Sequence, residues 1–276
     1  MNDFTAIIDS IALNASRSNP PVEGDYTGED GLLYCGKCHT PKQTRLPMSF
    51  GGRIVACGCL CKQREWEEEK EREKRNRADE LRAYCLPDIA MRRHCFANAT
   101  DAKHIQIARR YVEKWEEVRR NNYGLMLWGN TGTGKSFTAQ CIANALLDRH
   151  IPVKYLTAPE LVAKLMDRET SRSEFMQRIR EVPLLIIDDL GAERDTPFAR
   201  EQLCAVIDAR SESGKPLIVT TNYSVAEMDN CTDMAMQRIF NRLKAVCVPV
   251  AVTGKSRRNE LGEEKIRLAR ELLYGN

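Results

Sequence analysis

Apolar positions fall into two rhythms along this chain. Between Asp101 and Asn122, residues Ile105, Ala108, Val112, Trp115 and Val118 recur at helical spacing and predict an amphipathic helix. From Tyr123 onward, short apolar runs alternate with amphipathic stretches. The runs are LMLW (125–128), VKYL (153–156), LLIID (184–188), LIVTT (217–221) and AVCVPVAV (245–252). That alternation predicts an α/β fold, a doubly wound parallel sheet covered by helices. An earlier tract has neither rhythm. KQREWEEEKEREKRNRADELR, ending at Arg82, lacks glycine and proline and is dense in Glu, Lys and Arg. Opposite charges four residues apart support a solvated helix there. Its charges nearly cancel, which argues against a DNA-binding arm. No internal repeat is evident.

Composition narrows the picture. A chain of 276 residues suits one large or two modest domains, and 42% hydrophobic residues supply a core. The net charge is only +3, so any surface for nucleic acid must be a local one. The opening MNDFTAIIDSIALNAS lacks the basic and apolar order of a secretory signal. No run approaches the roughly 18 apolar residues of a membrane helix. The expected compartment is cytoplasmic, where eleven cysteines serve as thiols or metal ligands rather than disulfides.

Five of those cysteines crowd together: Cys35, Cys38, Cys57, Cys59 and Cys61. Two clusters separated by eighteen residues fit a four-thiolate Zn²⁺ site. The second cluster reads C-x-C-x-C, so one thiol is spare. Cys35 and Cys38 are the firm ligands; Cys57, Cys59 and Cys61 stay open alternatives. His39 abuts Cys38, an awkward geometry for a competing ligand. No thioredoxin-like strand and helix surround the CGKC. No open coordination position or nearby base suggests a catalytic metal. The expected role is structural, with the metal holding a segment too small to build its own core. The other six cysteines read as small buried hydrophobes.

The sharpest motif is Gly129-Asn130-Thr131-Gly132-Thr133-Gly134-Lys135-Ser136. It fits G-x-x-x-x-G-K-[ST], follows a predicted strand and precedes a predicted helix. Its glycines let backbone N–H groups turn inward around phosphate oxygens, and the helix adds its positive end. Lys135 would reach the β- and γ-phosphates of ATP, and Ser136 would ligate Mg²⁺. Phe137, next in line, is grouped with the nucleotide-binding residues. About fifty residues on, the apolar run 184–187 ends in Asp188 and Asp189. Asp188 is the candidate that holds Mg²⁺ through water. Asp189, on the opposite side of a continuing strand, is placed to orient or deprotonate the attacking water. Many such ATPases carry the longer Glu at that position, and Glu193 is the candidate substitute. Asn222, ending LIVTTN, could hold the attacking water or the γ-phosphate.

These residues resemble a known group. GNTGTGKS, LLIIDDLGAE, LIVTTN, QRIFNRL and GKSRR occur in the order seen in AAA+ ATPases. The pattern is most similar to helicase loaders of the DnaC/DnaI type, prophage versions especially, with IstB-type transposition helpers as near relatives. It covers about residues 96–260. The resemblance implies an arginine finger reaching into the neighbouring subunit's γ-phosphate. Arg238 and Arg242 share a helix face, and the motif favours Arg242. The resemblance also implies that Arg258 contacts the nucleotide of its own subunit, while Lys255 and Arg257 could face DNA. A finger in trans implies self-association and weak hydrolysis by the monomer. The implied domains are a zinc-binding segment (1–62), a charged linker (63–95), an AAA+ ATPase (96–260) without a large helical lid, and a helical tail (261–276). The implied partners are a hexameric replicative helicase, docked by the zinc module, and single-stranded DNA.

Three other readings compete. A transposition helper shares the ATPase core, although such helpers usually lack a zinc module. A nucleotide-sensing adaptor with weak hydrolysis is suggested by Asp189. A small-molecule kinase would leave Asn222 and Arg242 without roles. Candidate DNA contacts are Lys164, Arg168, Arg172, Arg178 and Arg180.

Overall fold

A computed structural model describes residues 10, 13–14, 17, 19–86, 88–167, 171–193, 196–254 and 257–275, without the side chains of residues 257–261 and 263. Arg168 and Lys255, and the side chains of Arg257 and Arg258, therefore lie outside the described residues. The chain forms two compact units, residues 1–76 and 77–276. Helix α1 (Leu60–Cys85) runs across that boundary in sequence and contains the charged tract.

The first unit is built from two small antiparallel pairs. Strand β1 (Tyr26–Thr27) pairs with β2 (Leu33–Tyr34), and β3 (Gln43–Arg45) pairs with β4 (Ile54–Ala56). Such short strands cannot enclose an apolar core, so polar links matter more. The buried Lys42 ammonium donates to Asp25 Oδ2 at 2.7 Å and Pro20 O at 2.5 Å. Asp25 Oδ1 accepts from Gly36 N at 3.2 Å, which ties the cysteine turn to the same pair. The Lys42 hydrogen bond, above all, holds the Asp25 carboxyl down to about 2.

The second unit centres on a five-stranded parallel sheet: β5 (Gly124–Trp128), β6 (Val153–Thr157), β7 (Leu184–Leu190), β8 (Leu217–Thr221) and β9 (Cys247–Ala251). Their order is β6-β7-β8-β5-β9. The strands read as continuous apolar runs because both faces are covered. On one face, Leu125, Leu127, Leu184, Ile186 and Ile218 pack against α2 (Lys103–Glu113), α3 (Trp115–Arg120) and α4 (Lys135–Asp148). On the other, Met126, Leu185, Ile187, Leu217 and Val219 pack against α5 (Ala158–Met166), α6 (Arg172–Glu181), α7 (Pro197–Glu212) and α8 (Met234–Val246). A final helix, α9, spans Arg257–Tyr274.

Two expectations are refined. The helix predicted across 101–122 is two helices, because Lys114 leaves helical geometry at φ −93°, ψ 22°. The last apolar run begins as helix, since Ala245 and Val246 complete α8 before β9 starts at Cys247. Among the described residues, no helix is long and apolar enough to cross a membrane.

Candidate nucleotide site

The site lies at the C-terminal ends of the strands, where a parallel sheet presents its loops. The loop after β5 turns into α4 through two demanding positions. Gly129 has φ +148°, and a Cβ there would lie 2.4 Å from Val252 O, too close for any side chain. Gly134 caps α4 with φ +106°, a conformation other residues rarely adopt. These constraints hold the loop against β9 and aim the first N–H groups of α4 into the cleft.

Lys135 sits inside the turn, only 6% exposed. Its ammonium donates to Gly129 O, Asn130 O and Asn222 Oδ1, each at 2.8 Å. The last bond spans 87 residues of sequence and brings the end of β8 to the phosphate loop. A cleft of about 1060 Å³ opens there, with Thr131, Gly132, Gly134, Lys135, Ser136, Phe137, Asp189 and Asn222 in its lining. Of the sequence-derived residues, five of the loop together with Phe137, Asp189 and Asn222 thus share one cavity wall, whereas Gly129, Asn130, Thr133 and Asp188 are not part of its lining.

Asp188 and Asp189 part company as their order in the strand requires. Asp188 is buried, and both of its oxygens accept hydroxyl donors: Tyr155 Oη at 2.5 Å and Thr220 Oγ1 at 2.5 Å. Parallel register explains this row, because Tyr155 pairs with Ile186, two residues before Asp188, while Ile187 pairs with Val219, just before Thr220. Each carboxylate oxygen keeps a second lone pair after accepting one bond. An oxygen-rich set of this kind suits Mg²⁺, so Asp188 with Ser136 fits that ion chemically. Asp189 is exposed toward the cleft and sits at φ +59°, beside a register shift between β7 and β8. Its N–H donates to Thr220 Oγ1 at 2.8 Å, and its carbonyl accepts from Ala192 N at 3.0 Å. Glu193 instead turns back and accepts from Gly191 N at 2.8 Å.

Sequence reasoning missed the far end of the cleft. His94, Asn98, Thr100 and Gln140 also line it. The His94 and Phe137 rings meet at 5.1 Å between centroids. His94 Nδ1 lies 2.5 Å from Gln140 Oε1, and Gln140 Nε2 donates to Tyr155 Oη at 3.0 Å. No spacing signal joins His94, Gln140 and Tyr155; only the fold does.

The arginines of α8 lie elsewhere. Arg242 Nε is ion-paired with Asp208 of α7. Arg238 is exposed and borders a smaller cleft of about 400 Å³ with Arg200, Cys204 and Asp208. Among the proposed DNA contacts, Lys164 and Arg172 are exposed. Arg178 pairs with Glu174 at 3.8 Å and Arg180 with Glu212 at 3.5 Å.

In the first unit, Cys35, Cys38, Cys59 and Cys61 bring their sulfurs within 4.8 Å of one another. A tetrahedral zinc with Zn–S bonds of 2.3 Å has sulfurs about 3.8 Å apart, so a small inward adjustment fits the ion. Cys57 stands aside, with its thiol 3.5 Å from Pro41 O. The Thr40 hydroxyl, 3.1 Å from its sulfur, pulls Cys38 down to about 5 and favours the thiolate. Hydrogen bonding to Cys38 pushes Cys61 up to about 12.

Comparison with known proteins gives the chain a family. The family model described as "IstB-like ATP binding protein" matches residues 63–264. The chain belongs to the IstB-like ATP-binding family. Within reach of this IstB-like core, the chain is 28% identical over 141 residues to the replicative helicase loader DnaC of Escherichia coli strain K12, covering 50% of this chain and 55% of that protein. It is 26% identical over 161 residues to the replicative helicase loader DnaI of Bacillus subtilis strain 168, covering 54% and 51%. The chain thus spans about half the length of these curated relatives. A crystal structure of DnaI matches with TM-score 0.52 and 26% identity, over 62% of this chain and 93% of that one. The IstB-like chain therefore carries the P-loop AAA+ fold, with the sheet and loop described above.

Proposed function

We propose that this protein is an ATPase that loads a hexameric replicative helicase onto single-stranded DNA. The supporting observation is the convergence of Lys135, Asn222 and Asp189 on one glycine-bounded cleft, in a chain similar to two replicative helicase loaders. The N–H groups at the start of α4 would receive the phosphates, and Lys135 would exchange its loop carbonyls for phosphate oxygens. Ser136 and Asp188 would hold Mg²⁺, whose charge offsets that of the phosphates. Asp189 would orient or deprotonate the attacking water, and Asn222 would hold it in line. Arg242 would leave Asp208 to enter the neighbouring subunit's site, so that the complete centre needs two subunits. Cys35, Cys38, Cys59 and Cys61 would hold Zn²⁺ and keep the helicase-docking module folded. The cytoplasm is the compartment that suits these partners.

Capture experiments test the reading. Tagged wild-type, Lys135→Ala and Asp189→Asn chains would be incubated with ATP in host lysate, and the retained proteins identified by mass spectrometry. A hexameric helicase enriched by Asp189→Asn and lost on replacing Cys35 and Cys38 is the expected result. Absence of any helicase from all captures would overturn it. The match to the IstB-like model favours a second reading, a transposition helper on the same core. Retention of a transposase in place of the helicase would establish that role instead.

A further inference from the structure

The hydrogen bonds beneath the cleft form one directed chain. Gln140 gives its amide N–H to Tyr155, so its carbonyl faces His94 and takes the Nδ1–H. Tyr155 then gives its hydroxyl hydrogen to Asp188. Every donor points toward the carboxylate. The path is short and enclosed: Gln140 is 5% and Tyr155 3% exposed, so water competes little with these bonds. Thr220 closes the other side of Asp188, so the carboxylate has no idle oxygen about which to swing.

The chain begins where a nucleoside would lie. The phosphate loop lines part of the cleft, and the same wall carries the paired His94 and Phe137 rings. A planar base against those rings would restrain the His94 imidazole. That restraint passes to Gln140, then to the Tyr155 hydroxyl, then to Asp188.

We propose that His94, Gln140 and Tyr155 are positioning residues that tie the base end of the cleft to the carboxylate of Asp188, so that a seated base steadies the metal-holding group. The inference rests on the proposed nucleotide and Mg²⁺ roles of the cleft. It adds three residues that touch neither phosphate nor metal.

The test is the Mg²⁺ dependence of ATP hydrolysis in the full chain. Wild type would be compared with Tyr155→Phe, Gln140→Leu, His94→Leu, His94→Asn and the His94→Leu/Tyr155→Phe double variant. Loss of one hydrogen bond to a charged group predicts that Tyr155→Phe needs about tenfold more Mg²⁺ for half-maximal rate. Its affinity for ATP without metal stays unchanged. Gln140→Leu shifts it in the same direction by a smaller factor, because Tyr155 keeps its own bond to Asp188 but loses the support behind it, and this variant covers the case in which the phenylalanine variant folds poorly. His94→Leu shifts Mg²⁺ dependence in the same direction. His94→Asn, with an amide N–H near the position of Nδ1, restores most of it. The double variant is no worse than Tyr155→Phe alone, because both cut one path.

Independent, additive effects of His94→Leu and Tyr155→Phe would overturn the coupling. Unchanged Mg²⁺ dependence in Tyr155→Phe and Gln140→Leu would overturn it too, while a loss in Asp188→Asn would leave the nucleotide reading standing. A wild type that neither binds ATP with Mg²⁺ nor hydrolyses it at any protein concentration would overturn both readings together.

Discussion

Arg210 shows how far a single residue can depart from its sequence appearance. In the last turn of α7 it reads as a surface charge. It is fully buried, and it donates to the carbonyls of Ile179, Val182, Pro183 and Pro216 at 2.7–3.1 Å. These carbonyls end α6 and lead into β7 and β8, so one guanidinium satisfies three junctions that the sheet leaves open. Desolvation lowers it to about 10, still charged near neutrality. Arg210→Ala is expected to destabilise the second unit by about 3–5 kcal/mol, since buried carbonyls lose their donors and a cavity opens. Chemical denaturation would measure it. At the same scale, Lys135→Ala should weaken ATP binding at least tenfold by removing a charge-assisted contact, as read by calorimetry. The lysine was legible because its motif is local. Arg210 was not, because its acceptors are brought to it by three separate elements.

At the scale of elements, the strands were the most legible part. Their apolar runs are largely buried, and each predicted run overlaps a strand whose ends differ from it by no more than two residues. The break at Lys114 was invisible, because apolar spacing continues across it into Trp115 and Val118. Which four of the five clustered cysteines converge was invisible for a related reason. In an extended segment, Cys57, Cys59 and Cys61 would all point one way. The chain is extended only through β4, and α1 begins at Leu60, so Cys59 and Cys61 turn toward Cys35 and Cys38 while Cys57 does not. Metal analysis should therefore find one zinc per chain in wild type and Cys57→Ser, and a loss of most of it in Cys59→Ser or Cys61→Ser. Equal loss in all three would contradict that assignment.

For the whole molecule, two compact units predict two responses. Chelation of zinc should remove the folded signal of the first unit and leave the thermal transition of the second within a few degrees, because the large sheet has its own core. Differential scanning calorimetry with and without chelator reads both. The ion pair between Arg242 and Asp208 also bears on assembly. Asp208→Asn should release the arginine and raise hydrolysis per chain at a given protein concentration, whereas Arg242→Ala should flatten its concentration dependence. The layered fold and the phosphate loop could be read from the chain alone. The path from His94 to Asp188 could not, because it depends on the register of two strands and the placement of one helix. Asp189 holds a left-handed backbone that glycine would adopt with less strain. Aspartate there costs about 1 kcal/mol, which Asp189→Gly would recover while removing the carboxylate that we propose acts on water. On the proposed role of Asp189, the residue that favours heat resistance and the residue that favours activity differ at this position. Screens for thermal tolerance would drift toward an inert chain.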